Sequence, residues 1–182
     1  HKLLNYTSRK NFKSIILTAS GGPFLNTSVE DLSNVTLEDA LKHPTWNMGK
    51  KITVDSSALI NKGLELIEAT YLFNISHEDI TILVHPQSII HAMISMHDGT
   101  TLSLMSKADM KIPISDAIFE SDNAPIFGNL KTSDIKSLTF CDLDNKKFPA
   151  VNMARDAIDH GVSSIVTFNA ASEVAVENFL SK

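Results

Sequence analysis

The sequence predicts a mixed α/β fold in three parts: a sheet-and-helix domain over residues 1–113, a linker over 114–139 and the start of a helical domain over 140–182. In the first part, short apolar runs bounded by turn residues alternate with helical patterns. Residues 121–137 are polar, contain proline and glycine and offer few apolar anchors, which is typical of a linker. A helical period returns after Phe148-Pro149 and predicts the last part.

Strands are predicted wherever a short apolar run ends in a turn signal. They cover Ser14–Thr18, Lys51–Val54, Ile80–Val84, Ser88–Met96 and Thr101–Met105. The dipeptide Asp98-Gly99 between the last two indicates a hairpin.

Helices are predicted from apolar spacing and from capping residues. Thr36 followed three residues later by Asp39 indicates a capping box that opens a short helix. A longer helix over 56–73 would have Asp55 or Ser56 as its N-cap. The remaining helices are predicted over 114–120, over 150–158 with a stop at Gly161, and from about Thr167 to Leu180.

Composition excludes several classes of function. Hydrophobic residues make up 43 % of the 182 residues and charged residues 20 %, as in ordinary globular domains. A net charge of −5 argues against a nucleic-acid partner. No apolar run approaches the roughly 20 residues that cross a bilayer, so we expect no membrane segment. The single cysteine, Cys141, forms no disulfide framework and favours a reducing compartment.

The most informative stretch is residues 55–65, because it combines a hydroxyl, an amide, an ammonium and a carboxylate at the start of a predicted helix. A helix N-terminus with hydroxyl groups binds anions well. Side chains lean toward the helix N-terminus, so Asn61 and Lys62 can reach an anion held there. Glu65 lies on the same face and offers oxygen to a hard cation. The pattern alone also fits a capped amphipathic helix with a polar outer face.

Three further features permit a functional and a structural interpretation. The turn Ser20-Gly21-Gly22-Pro23 could hold an oxyanion or could be a plain turn. The loop His43–Gly49, with Trp46 and Met48, could be a lid over a ligand or a surface loop. His85, His91 and His97 recur every six residues, but Pro86 and the lack of an adjoining carboxylate cluster favour satisfied or exposed histidines over metal ligands. We keep only His85 as a functional candidate, because it follows the end of an apolar strand.

Taken in order, these motifs resemble the 1-deoxy-D-xylulose 5-phosphate reductoisomerase family from about residue 15 to residue 180. The matching segments are Ala19-Ser20-Gly21-Gly22-Pro23-Phe24, His43-Pro44-Thr45-Trp46-Asn47-Met48-Gly49, Lys51-Ile52-Thr53-Val54-Asp55-Ser56, Asn61-Lys62-Gly63-Leu64-Glu65, His85-Pro86-Gln87-Ser88, Asp109-Met110 and Phe168-Asn169-Ala170-Ala171-Ser172-Glu173. The resemblance implies an enzyme that rearranges a ketose phosphate and reduces the product to 2-C-methyl-D-erythritol 4-phosphate, using NADPH and Mg²⁺ or Mn²⁺.

The resemblance also implies a role for each matched residue. Ser20, Ser56, Asn61 and Lys62 would hold the substrate phosphate. Glu65 would bind substrate and metal and take part in catalysis, as one of three acidic ligands. His43 would contact substrate from the lid, Trp46 and Met48 would close over it, and Gly49 would lie beside NADPH.

The chain departs from the family pattern in ways that bear on activity. It contains neither the family's N-terminal Rossmann-like NADPH-binding domain nor the Asp-Ser-Glu segment that supplies the other two metal ligands, and Phe119–Thr132 matches poorly. We therefore expect a fragment that is inactive alone, with the missing domain as its partner. In full length we expect a homodimer in the bacterial cytoplasm or a plastid-type organelle. The alternatives are a non-catalytic phosphosugar-binding module and a structural or dimerisation domain that uses residues 88–105.

Overall fold

The protein is described by a computed structural model that covers residues 1–8, 11–46, 48–119 and 127–181. A mixed sheet of five strands forms one layer, in the order β4-β3-β1-β2-β5. The central strand β1 runs parallel to β2 and antiparallel to β3. The strands are β1 Phe12–Ala19, β2 Ile80–Val84, β3 Ile90–Met96, β4 Thr101–Met105 and β5 Cys141–Asp142. The mixed α/β prediction is therefore confirmed.

Six α-helices lie within the described ranges. They are α1 Leu37–Ala40, α2 Lys50–Ser57, α3 Ile60–Phe73, α4 Lys111–Phe119, α5 Ala150–His160 and α6 Val162–Leu180. Short 3₁₀ helices occur at Lys2–Tyr6, Glu30–Asn34, His77–Asp79 and Thr132–Asp134. None of the described helices is long and apolar enough to cross a membrane.

The core lies between the sheet and α3, and α5 completes it. Ile15, Ile80 and Ile94 come from three neighbouring strands, and Leu66 of α3 and Val151 of α5 pack in the same cluster. Burying one such aliphatic side chain contributes roughly 1.5–3 kcal/mol. The polar segments that carry the predicted site residues are thus attached to a well-packed interior.

Several predicted elements have the expected bounds. β2 and β4 coincide with the predicted strands, and β1 and β3 overlap theirs. The capping box of α1 is present, because Thr36 Oγ1 accepts from the Asp39 N–H at 3.2 Å and Asp39 Oδ2 accepts from the Thr36 N–H at 3.1 Å. Gly161, with a φ of +90°, ends α5 as expected.

The predicted strand Lys51–Val54 is wrong, because these residues lie inside helix α2. The N-cap of α2 is Gly49, so neither Asp55 nor Ser56 is an N-cap. Two contacts need helical spacing: the ion pair between Lys51 and Asp55 at 2.8 Å, and the bond from Thr53 Oγ1 to the Gly49 carbonyl at 2.8 Å. Packing of the helix outweighs the β preference of its branched residues.

Two helices begin earlier than predicted. α4 starts at Lys111 instead of residue 114, and α6 starts at Val162 instead of about Thr167. Residues 120–126, in the predicted linker, lie outside the described residues. The division at residues 113 and 140 stays a prediction.

Candidate functional site

A sharp bend between α2 and α3 carries the predicted anion-binding residues. α2 ends at Ser57, α3 begins at Ile60, and Leu59 between them has a left-handed φ of +56°. This conformation costs a residue other than glycine about 1–3 kcal/mol. The Leu59 side chain is only 1 % exposed in the core, and this burial holds the bend. Ser56 lies just before the bend, and Asn61 and Lys62 lie just after it.

The glycine-rich turn after β1 lies directly against the end of α2. Gly22 has a φ of +65°, and a Cβ placed on it would lie 2.6 Å from the Ser56 carbonyl oxygen. Only glycine combines this backbone conformation with so close an approach. The turn therefore brings Ser20 to the same region as Ser56, which is itself buried behind it.

His43 joins the predicted lid to this turn. Its Nδ1 accepts hydrogen bonds from the N–H groups of Thr45 at 3.1 Å and Trp46 at 2.9 Å. In the neutral ring the hydrogen must then reside on Nε2, which donates to Ser20 Oγ across 3.1 Å. Because the Ser20 oxygen acts as an acceptor here, its own O–H can donate to a ligand oxygen. Partial burial lowers the pKa of His43, which favours this neutral ring.

The same loop reaches strand β3. The Trp46 and His91 rings meet edge to face with centroids 6.1 Å apart. His91 Nε2 donates to the Ser106 carbonyl at 3.1 Å. Burial lowers the pKa of His91 against the opposing effect of its backbone contacts, and the nearby charge of Lys62 lowers that pKa further. His91 therefore contacts the loop that carries Trp46.

Lys62 and Glu65 form the central ion pair of the site. Lys62 Nζ lies 2.6 Å from Glu65 Oε2, and the two side chains are 10 % and 43 % exposed. An ammonium so far removed from water needs a negative partner. At the preceding position in the chain, Asn61 Oδ1 is buried and makes no hydrogen bond within the described part of the protein. A buried amide of this kind is satisfied by a polar ligand, with either end of the amide facing it.

A complete metal site is not found in the described residues, because they contain no group of three His, Cys, Asp or Glu side chains that could hold an ion. Glu65 offers one half-exposed carboxylate. Mg²⁺ requires six oxygen ligands, so this carboxylate would need partners from outside the described ranges.

The structure places the sequence-predicted residues as follows. Ser20 and His43 are bonded to each other, Ser56 lies against the turn of Ser20, and Asn61, Lys62 and Glu65 share the first turns of α3. The Trp46 ring meets the His91 ring edge to face. Met48 and Gly49 precede α2, and their carbonyls accept from the Thr53 hydroxyl. Whether these residues bind substrate, metal or cofactor stays a prediction.

The sequence did not predict that His91 contacts the loop of residues 43–49. Its position depends on the pairing of β3 with β4, which the local sequence does not report. His85, the histidine that we kept as a functional candidate, is satisfied within the fold: it is fully buried, its Nδ1 donates to the Thr139 carbonyl at 2.8 Å, and its Nε2 accepts from the Ile89 N–H at 3.2 Å.

Comparison with known protein families gives two matches. A model described as the 1-deoxy-D-xylulose 5-phosphate reductoisomerase C-terminal domain matches residues 1–73. A second model, described as the DXP reductoisomerase C-terminal domain, matches residues 105–182.

Curated relatives share the same enzyme name. The 1-deoxy-D-xylulose 5-phosphate reductoisomerase of a Sulfurihydrogenibium species is 48 % identical over 180 residues, which are 98 % of this chain and 48 % of the relative. The enzyme of that name from Acinetobacter baumannii is 51 % identical over 170 residues, 91 % of this chain and 42 % of the relative. The chain thus spans about half the length of the curated relatives that it matches.

Solved structures share this fold. A DOX-P reductoisomerase in complex with NADPH, fosmidomycin and magnesium superposes with a TM-score of 0.89 at 37 % identity, over 98 % of this chain and 43 % of the other. The 1-deoxy-D-xylulose 5-phosphate reductoisomerase of Zymomonas mobilis in complex with NADPH gives a TM-score of 0.85 at 39 % identity, over 95 % of this chain and 45 % of the other.

Proposed function

The chain belongs to the 1-deoxy-D-xylulose 5-phosphate reductoisomerase family, and from this premise we propose that it is the part of such an enzyme that binds the phosphate of the sugar substrate. The observation that carries the proposal is the Lys62 side chain, which is only 10 % exposed, together with the buried amide of the adjoining residue Asn61, whose Oδ1 has no hydrogen-bond partner among the described residues. Together with the Ser20 hydroxyl and the Ser56 segment, these groups suit a phosphate ester.

Each proposed phosphate ligand has a distinct role. Lys62 supplies the positive charge, and its near-burial strengthens the attraction because little water screens it. Ser20 donates its O–H, since His43 already donates to its oxygen. Asn61 supplies an amide, and Ser56 lies at the end of α2 beside the turn. The phosphate is remote from the bonds that change in the proposed reaction, so its binding energy can orient the substrate.

The loop of residues 43–49 would cover the bound sugar. His43 bonds to Ser20, and the Trp46 ring meets the His91 ring edge to face. The loop therefore has two contacts with residues outside it, one of them with a proposed phosphate ligand. A tryptophan over the site would exclude water, and Met48 would add apolar cover. Gly49, at the start of α2, is the proposed neighbour of NADPH.

The full-length enzyme would convert 1-deoxy-D-xylulose 5-phosphate to 2-C-methyl-D-erythritol 4-phosphate, as an NADPH-dependent oxidoreductase and isomerase of isoprenoid biosynthesis. The related structure in complex with NADPH, fosmidomycin and magnesium supports both cofactors. Glu65 would contribute one ligand to Mg²⁺ or Mn²⁺, and such an ion polarises carbonyl oxygens when bound. The described residues do not complete the coordination shell of the ion. The bacterial origin of the relatives supports a cytoplasmic location. A homodimer belongs to the same proposal and rests only on the family resemblance.

Calorimetric titration with inorganic phosphate tests the anion site directly. Lys62→Ala removes a charge-assisted contact of roughly 1.5–3 kcal/mol, so we expect phosphate binding to weaken about tenfold or more. Lys136→Ala, which removes an exposed lysine outside the site, serves as the matched control. Equal dissociation constants for wild type and Lys62→Ala refute the phosphate site.

A second titration, with a sugar phosphate in the presence and absence of Mg²⁺, separates the alternatives. Tight binding of a sugar phosphate that Mg²⁺ does not change favours a non-catalytic phosphosugar-binding module. No binding, together with self-association through the strands within residues 88–105, favours a structural or dimerisation domain.

A further inference from the structure

Helix α6 contacts the chain on both sides of the α2–α3 bend. Ser172 Oγ donates to Asp55 Oδ1 at 3.1 Å, immediately before Ser56 in the chain. A Cβ built on Gly63 would lie 3.2 Å from Phe168 Cζ, immediately after Lys62. Residues four apart share one face of a helix, so a single face of α6 makes both contacts.

The Asp55 carboxylate is the more demanding of the two contacts, because its side chain is only 4 % exposed. Lys51 Nζ binds one oxygen at 2.8 Å and Ser172 binds the other at 3.1 Å. A buried carboxylate that loses a donor must move or admit water to recover it. Loss of the Ser172 hydroxyl would therefore displace the end of α2 and, with it, Ser56.

We propose that Ser172 and Phe168 of α6 are positioning residues that fix Ser56 and Lys62 on the two sides of the α2–α3 bend. This proposal rests on the proposed function, because it assumes that the two residues serve one anion site. The proposal assigns a role to the motif Phe168-Asn169-Ala170-Ala171-Ser172-Glu173. This motif contains no residue of the proposed anion site itself.

The first experiment removes one hydroxyl. Ser172→Ala is compared with Ser172→Thr, which keeps a hydroxyl, and with Thr167→Ala, which removes an exposed hydroxyl from the same helix whose partner is the Ser163 carbonyl. Two quantities are measured below the unfolding transition of every variant: the dissociation constant for inorganic phosphate, and amide hydrogen exchange at each backbone position.

For Ser172→Ala we expect binding about tenfold weaker and faster exchange at Ser56 and Ser57, because a small displacement of binding groups has a large effect on affinity. Ser172→Thr should restore both, and Thr167→Ala should change neither. A lower unfolding temperature with unchanged phosphate affinity and unchanged exchange at Ser56 overturns the proposal, since a purely structural hydroxyl would produce that result.

The second experiment addresses the other contact. Phe168→Leu keeps an apolar side chain but shortens its reach to Gly63, so exchange should accelerate at Lys62 and Gly63 rather than at Ser56 and Ser57. Uniform acceleration across α2 and α3 contradicts two separate positioning contacts. If wild type fails to bind phosphate while these local exchange patterns appear, the proposed function is refuted but the hold of α6 on both segments stands.

Discussion

The His43 ring donates a hydrogen bond from Nε2 to the Ser20 hydroxyl across 3.1 Å, while its Nδ1 accepts from two backbone N–H groups of its own loop. One neutral imidazole therefore fixes the conformation of the loop and attaches it to the glycine-rich turn.

His43→Ala should release this loop. Trp46 is the only tryptophan of the chain, so its fluorescence reports on the loop alone. Without the His43 ring we expect emission at longer wavelength and stronger acrylamide quenching. The backbone N–H of Trp46 loses its hydrogen-bond acceptor, and the indole ring gains contact with water. His97→Ala, which alters an exposed histidine, is the control. Emission identical to wild type would show that the ring does not hold the loop.

Stability should fall as the pH is lowered through about 6.5, the ordinary pKa of histidine. Burial lowers the pKa of both His43 and His91 in the folded protein, so the unfolded chain binds protons more readily in this range. The loss should level off below the folded pKa values. Urea unfolding at several pH values from about 8 to about 5, a range that spans the ordinary titration of histidine, measures this loss in the free energy of unfolding.

His91→Gln should flatten this dependence because it removes the more deeply buried of the two rings. His97→Gln should leave the slope as in wild type, since that side chain is exposed. If both substitutions change the slope of the free energy of unfolding against pH equally, His91 is not the source of the pH dependence.

Glu65→Gln should leave the Lys62 ammonium without its negative partner. We expect a loss of about 1–3 kcal/mol in the free energy of unfolding, measured without phosphate. Phosphate should then raise the unfolding temperature more in the variant than in wild type, because the ligand no longer faces the Glu65 charge. Glu68→Gln, an exposed carboxylate on the same helix, is the control. An equal phosphate response in both variants would indicate that Glu65 does not act on the anion site.

Gly63→Ala should destabilise the fold even though alanine favours helices by up to about 1 kcal/mol. A Cβ at this position would lie 3.1 Å from the Ala150 carbonyl oxygen and 3.1 Å from Ala154 Cβ, so α5 must move away. We expect a net cost of about 1–3 kcal/mol in chemical unfolding. Glu68→Ala on the exposed face of α3 should stay within about 0.5 kcal/mol of wild type. A stabilised Gly63→Ala variant would contradict the close approach of the two helices.

Local signals account for what the sequence predicted well. The capping box at Thr36 and Asp39, the Asp98-Gly99 turn and the apolar run of β2 each depend on neighbours within a few residues. The cluster of Asn61, Lys62 and Glu65 was equally accessible, because helical spacing alone brings these side chains together.

Tertiary contacts account for what the sequence predicted poorly. Lys51–Val54 carries β-branched residues, yet it is helical because it packs against α6 and α3. Asp55 looked like an N-cap, but its carboxylate binds Ser172, 117 positions along the chain. His91 meets the Trp46 ring only through the arrangement of β3, which no local pattern reports.

The left-handed Leu59 has a consequence for engineering. Its unfavourable backbone is tolerated only while its side chain remains enclosed by apolar neighbours. Substitutions that loosen the interior, even far from the α2–α3 bend, would relax this one residue and rotate the polar groups on either side of it. Tighter packing around Leu59 should therefore also fix the relative positions of Ser56 and Lys62, which lie on the two sides of the proposed anion site.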